Sequence, residues 1–153
     1  MILQEENIKQ KRTKAQFLRD KVVVRIAMPS AGEYIAELLA ENDIELPPMN
    51  WSAVSGNWLI ATVDDEVMGC VMVLPAKPFG FVEFLVMKPS MSFKLRAIAA
   101  RKLMVQAAAT LAGFGCEALF CYVDESTGKF SDILTKHGHV KVASGSLYMA
   151  RLI

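Results

Sequence analysis

The order of the chain's segments constrains its fold most, because strand-like and helix-like runs follow one another as β-α-β-β-β-α-β-α-β-β. Residues 22–27 are a β-branched run closed by Met28-Pro29-Ser30, which predicts a strand and then a break. Ser30 with Glu33 three residues on is the pattern of a capping box, and Tyr34, Ile35, Leu38 and Leu39 recur at helical spacing through Asn42. Residues 44–51 contain Pro47-Pro48 and predict a loop or a short broken turn. Residues 58–63 and 67–74 flank the acidic tip Asp64-Asp65-Glu66 as a hairpin. A Pro/Gly stretch over 75–80 leads to a fourth strand over 81–86. The longest helical signal, 94–112, is alanine-rich, with Leu95, Ile98, Val105 and Leu111 as its larger apolar residues and Gly113 and Gly115 as its stop. A strand over 116–123, a short helix over 130–137 stopped by Gly138, and a hairpin of 140–142 with 146–152 complete the order.

Helices inserted after the first, fourth and fifth strands require an α/β (or α+β) fold. The expected core is a mixed, mostly antiparallel central sheet of about seven strands with helices on both faces. At 153 residues and 53% hydrophobic the chain buries a core without metals or disulfides. Residues 1–20 are charged and helix-prone, and are expected as an extension serving as a solvated arm or a partner contact; residues 21–153 form the single domain.

Charge excludes more than it suggests. A formal net charge of +1 gives no global footprint for nucleic acid or an anionic membrane, and no run approaches the ~18 apolar residues of a membrane span. Lys9, Lys11, Arg12, Lys14 and Arg19 form a basic cluster without an aromatic platform, so nucleic-acid binding is not expected. Cys70, Cys116 and Cys121 are odd in number and lie within apolar runs, which favours a reducing, cytoplasmic setting. His137 and His139 have no ligand-type residue at metal spacing, and no metal is expected.

The informative segment joins the fourth strand to the long helix. A strand that ends in a loop feeding a helix N-terminus presents free N–H groups and a positive dipole end, which suits a pyrophosphate. Here that stretch reads Met87-Lys88-Pro89-Ser90-Met91-Ser92-Phe93-Lys94-Leu95-Arg96-Ala97-Ile98-Ala99. Small residues at 97 and 99 are expected to let a ligand approach the backbone. Lys88, Lys94 and Arg96 put positive charge where it opposes the helix dipole, a conflict that a bound anion would relieve.

On these residues the domain resembles the GNAT acyltransferases. Residues 24–30 are similar to that family's first strand and turn, residues 59–71 to its second and third strands with Gly69 at the usual glycine, and residues 84–89 to its fourth strand. Lys94-Leu95-Arg96-Ala97-Ile98-Ala99 stands where the family has its [Arg/Gln]-x-x-Gly-x-[Gly/Ala] loop, with Lys94 and Ala97 as departures; a second register begins at Ser92. The resemblance implies that the N–H groups of 94–99 bind the pyrophosphate of acetyl-CoA, and that Leu85 and Val86 pair with its pantetheine arm.

It further implies an acetyl-CoA-dependent N-acetyltransferase acting on a small-molecule or protein amine, with Glu83 as general base. Strand alternation allows a second role for Glu83, as a solvent-facing carboxylate with Val82 and Phe84 turned inward. The family's acidic tyrosine corresponds to Leu134, and its asparagine after the fifth strand is absent near 124–127. Tyr122, Ser126, Thr127 and Tyr148 are the substitute donors, Tyr122 first among them. The alternative is a GNAT-like interaction module without transfer chemistry. Residues 47–51 and Phe79 are candidates for an apolar acceptor pocket, and a homodimer through the last strands is compatible with the family.

Overall fold

The computed structural model describes residues 14–122, 134–136, 138–141 and 147–152. A helix over 14–21, α1, runs without a linker into β1 (Val22–Ile26). The Lys102 ammonium donates to the carbonyls of Arg19 and Val22, the latter at 2.7 Å, so the end of α1 is tied to the body of the protein. A 3-10 turn (Pro29–Ala31) precedes α2 (Gly32–Glu41), and α3 (Trp51–Val54) lies between a loop and a second 3-10 turn (Ser55–Asn57). Then come β2 (Trp58–Val63), β3 (Glu66–Ala76), β4 (Phe79–Met87), α4 (Phe93–Gly113), β5 (Ala118–Tyr122), a helical turn at 134–136, β6 (Val140–Lys141) and β7 (Leu147–Arg151).

The described strands form one seven-stranded sheet in the order β1-β2-β3-β4-β5-β7-β6. Every pairing is antiparallel except β4 with β5, which α4 connects as a crossover. The mixed sheet expected from the segment order is therefore present. Pairing of β7 with β5 leaves β6 at the edge.

Two cores hold the sheet, one on each face. Ala99, Leu103, Ala107 and Leu111 recur at every fourth residue of α4 and are fully buried against Leu59, Ala61, Val71, Val73, Val82 and Leu119. Alanines at two of those positions let the helix lie close to the strands. On the other face α2 buries Ile35, Leu38 and Leu39 against Trp58, Ile60 and Cys70.

Several local expectations are corrected. The residue before α2 is Ala31, and no side chain caps that helix, because the Pro29–Ala31 turn takes Ser30 out of the capping position. Val105 is 64% exposed, on the side of α4 opposite the buried stripe. The Pro/Gly stretch is mostly strand, since Pro75 and Ala76 pair with Gly80 and Phe79. Pro75 is tolerated there because β2 pairs with β3 only as far as Met72, so β3 is locally an edge. Residues 44–50 are loop as expected and α3 begins only at Trp51, whose ring occupies the space beside Gly32, 2.1 Å from where a Cβ would stand.

Candidate functional site

β4 is two strands in one. From Phe79 to Val82 it pairs with β3 on one side and with Ala118–Cys121 of β5 on the other. After Val82 the parallel pairing stops, although β5 runs one residue further, and residues 83–87 keep only their β3 partners among the described strands. Among the described residues no strand pairs with this half on the β5 side.

The same half is bulged. Cys70 pairs with Val86 and Met72 with Glu83, so Phe84 and Leu85 together oppose Val71. Phe84 takes φ +54, a conformation that costs a bulky residue of order 1 kcal/mol or more. The bulge also resets the alternation. Val82 lies in the core under α4, whereas Phe84 packs on the α2 side, stacked on Trp58 with ring centroids 6.0 Å apart. Glu83, opposite Met72, faces the α2 side as well. The alternative with Val82 and Phe84 turned together into one core is therefore corrected.

Two contacts fix the end of β4. Asn42, just past α2, donates through Nδ2 to the carbonyls of Leu38 (2.8 Å) and Met87 (3.2 Å). Gly69 lies opposite Met87, and a Cβ there would stand 2.6 Å from Met87 Sδ and 3.3 Å from the Val86 oxygen. The glycine that marked the resemblance thus gives the unpaired half of β4 room.

The loop from β4 to α4 is short and pinned. Lys88 N–H donates to the Met68 carbonyl (2.7 Å), Met91 N–H to the Lys88 carbonyl (3.0 Å), and the Met91 side chain is buried. α4 starts at Phe93 with Ser92 as its cap, whose Oγ accepts from Leu95 N–H at 3.3 Å. The Arg96 N–H already donates to the Ser92 carbonyl (2.9 Å), and 97–99 lie inside the helix. Leu95 N–H and Arg96 N–H are thus taken up by Ser92, and the expected run of donors from 94 to 99 narrows to the very start of the helix. Helix start favours the register beginning at Ser92. Lys94, Arg96 and Ala97 are exposed at this end, Leu95 and Ile98 are half-buried, and Lys88 is half-buried at the foot of the loop. Ala99 is fully buried under α4, so its small size serves helix–sheet packing and not ligand approach.

The catalytic candidates divide between the two faces. Glu83 is half-buried, and no described residue hydrogen-bonds or ion-pairs with it. Leu85 packs toward α4 and Val86 toward α2, so their backbone forms the floor between the two sides. The backbone of Tyr122 places it at the end of β5 opposite Leu147, where β4 and β5 part. Tyr148 is buried on the α4 side opposite Cys121, away from the Glu83 face. Leu134 is 2% exposed in that same core, so the position of the expected acid is a packing position. Ser126, Thr127 and His137 lie outside the described residues.

Cys70, Cys116 and Cys121 are free and buried. Burial pushes the Cys70 thiol up to about 12 and the Cys121 thiol up to about 11, which leaves them protonated and weakly nucleophilic at neutral pH. Among the described residues no group of three His, Cys, Asp or Glu is placed to hold a metal ion, and no helix is long and apolar enough to cross a membrane.

No protein-family model matches the chain, and no curated protein does. Its architecture, however, is widely shared. An acetyltransferase of the GNAT family from Staphylococcus aureus superposes with a TM-score of 0.67 at 9% identity, over 86% of this chain and 99% of its own. Diaminobutyrate acetyltransferase EctA from Paenibacillus lautus, solved with L-2,4-diaminobutyric acid and coenzyme A, gives 0.66 at 13% identity, over 84% and 92%. N-acetylglutamate synthase from Neisseria gonorrhoeae, solved with coenzyme A and L-arginine, gives 0.68 at 14% identity over 85% of this chain. The chain spans about a third of that enzyme's length (33%). The chain has the GNAT acyltransferase fold.

Proposed function

We propose that the chain is an acyl-CoA-dependent N-acyltransferase, most simply an acetyltransferase acting on an amine. The observation that carries this is the divided β4: a bulged half-strand, unpaired toward β5, whose end feeds a helix N-terminus flanked by Lys88, Lys94 and Arg96. An edge of unpaired backbone accommodates an amide-bearing arm as an added strand would, and the helix end with its cations accommodates phosphates. These residues fit acetyl-CoA on both counts, with the helix start at Lys94 as the phosphate end and 83–87 as the pantetheine edge.

Bound there, acetyl-CoA supplies an activated thioester. The protein's part is mostly positioning, which brings amine and thioester together on opposite sides of the β4 backbone. Glu83 takes a proton from the ammonium so that the nitrogen lone pair attacks the thioester carbonyl. A backbone N–H of the bulge stabilises the oxyanion, the C–S bond breaks, and the CoA thiolate leaves with a proton from Tyr122 or water. A single domain over 21–153 carries these elements, and three unpaired buried cysteines suit a reducing, cytoplasmic compartment.

One observation favours a second reading, an interaction module that keeps the fold without turnover: Leu134 is a core residue where a proton donor was expected. Thermal denaturation with acetyl-CoA separates the two. At 100 times its dissociation constant the ligand adds about 2.7 kcal/mol. The transferase reading expects that shift, and expects Lys94→Glu with Arg96→Glu to abolish it. No shift at millimolar acetyl-CoA removes the transferase and leaves the module.

A further inference from the structure

From the charge on the acceptor side of β4 we infer that the amine acceptor is a multiply cationic, carboxylate-free amine of the polyamine class. The inference rests on the transferase reading and deepens it. If acetyl-CoA binds at the α4 end, the acceptor has to reach the thioester from the face α4 does not cover. That is the face toward which Glu83 turns.

Beside the released half of β4, most of the described wall on that face comes from one stretch of chain. Residues 26–76 supply α2, the 42–50 loop, α3, β2 and β3, and they contain no lysine, arginine or histidine. Acids are present in number. Glu33, Glu37 and Glu41 follow one another at every fourth residue on the exposed side of α2, and Asp43 and Glu45 continue past its end, both exposed. The Asn42 bond to the Met87 carbonyl holds this acidic end of α2 beside the end of β4. Ile44 and Leu46, between and after the two acids, pack into the α2-side core with Phe84 and Val86, which turns the loop's apolar positions inward.

Across β4 the sign reverses, because Lys88, Lys94, Arg96, Arg101 and Lys102 belong to the loop and helix on the α4 side. One strand therefore separates a cationic side, suited to phosphates, from an anionic side. A summed field of this kind concentrates ligands of opposite sign and repels those of like sign. The described cations on this face are Arg25, on β1 opposite Ile60, and Arg151, on β7 opposite Ala118, and neither strand adjoins the released half of β4. Among the described residues an acceptor's own carboxylate would meet no cationic side chain beside it, and a desolvated carboxylate needs one. The Trp58 indole N–H, without a hydrogen-bond partner among the described residues and 1% exposed, is a single neutral donor and does not substitute for a guanidinium. Ammonium groups, by contrast, find Glu83, the acids of α2 and its loop, and the half-buried rings of Trp51 and Phe84, whose faces also attract cations.

The test measures CoA thiol release by the full chain from acetyl-CoA with spermidine, putrescine, glutamate or 2,4-diaminobutyrate. Spermidine is expected to exceed both amino acids in kcat/KM by at least about tenfold, with the advantage shrinking as salt rises. The triple variant Glu37→Lys, Glu41→Lys, Asp43→Lys lies on the exposed surface. It is expected to raise the spermidine KM about tenfold with kcat within about twofold, while the acetyl-CoA thermal shift stays as in the parent. Preference for either amino acid overturns the inference, as does a spermidine KM that ignores both salt and the triple variant. If acetyl-CoA binds and no amine turns over, calorimetric titration of spermidine into the CoA-saturated chain decides, and no binding overturns it. Loss of the acetyl-CoA shift itself would be the failure of the underlying transferase reading, seen before any amine is added.

Discussion

The two halves of β4 differ by one pairing partner, and that difference separates structure from function in this molecule. Val82 belongs to the half that is paired on both sides and is 2% exposed under α4. Glu83, the next residue, is the first of the half that β5 releases. A carboxylate at 82 would have to be buried without a partner, whereas at 83 it is half-buried on the other face. Val82→Asp is therefore expected to cost more than about 4 kcal/mol and leave no cooperative thermal transition. Glu83→Gln is expected to change stability by less than about 0.5 kcal/mol. On the transferase reading it still lowers kcat by about 10²- to 10⁴-fold with acetyl-CoA binding intact. Equal losses of stability at the two positions would erase the contrast.

Among the described strands the second half of β4 lacks a partner at its β5 edge only, and two thiols probe this. Cys70 backs the open half, paired with Val86, and is fully buried; Cys121 backs the sealed half, paired with Val82, and is 3% exposed. Both thiols are raised above their ordinary value of 9.0, Cys70 to about 12 and Cys121 to about 11, in each case by burial. The neutral form is favoured in the fold, so the unfolded chain releases these protons first as pH rises. Stability is thus whole below about pH 9 and falls between pH 9 and the folded values. For Cys70 alone the loss is about 2 kcal/mol by pH ~10.5. Urea unfolding of the parent and Cys70→Ala between pH 8 and 10.5 checks it, since the variant should show the shallower decline. Equal slopes would mean that water reaches Cys70 through the open half.

Legibility in the sequence divides along the same line. β1 is a β-branched run, β2 and β5 are near-continuous apolar runs, and α4 is long and uninterrupted, so the segment order and the mixed sheet are read directly. Glu83, Leu85 and Val86, the β4 residues that the sequence marks as candidates, all lie in the half without a β5 partner. The bulge is not legible, because it sets a phenylalanine at positive φ, where no composition rule places one, and it is held by Met87, Gly69 and Asn42 from three separate elements. The expected run of donors at 94–99 contracts to the helix start for a similar reason. The start of α4 is set by the Ser92 cap and the buried Met91, while the basic residues only come after it. α3 escapes notice because its four residues are too few to show a period.

The smallest predicted effect separates two uses of left-handed backbone. Asp64 and Asp65 have φ of 50 and 65 in the two-residue turn that joins β2 to β3, with Val63 paired to Glu66 across it. Such a turn prefers glycine at its second position, so Asp65→Gly is expected to raise stability by about 0.5 kcal/mol, seen as a higher urea midpoint at unchanged slope. Phe84 has nearly the same φ, and glycine there would relieve the same backbone cost. That relief is outweighed by loss of the ring stacked on Trp58, worth about 3 kcal/mol or more for a core aromatic and less for this half-buried one. Phe84→Gly is therefore expected to be destabilising on balance and to shrink the acetyl-CoA thermal shift, because the bulge loses the anchor that holds its backbone toward the gap. If glycine stabilises both positions alike, the conformation at 84 is only a turn's kind of strain, and the ring does not hold the open half in place.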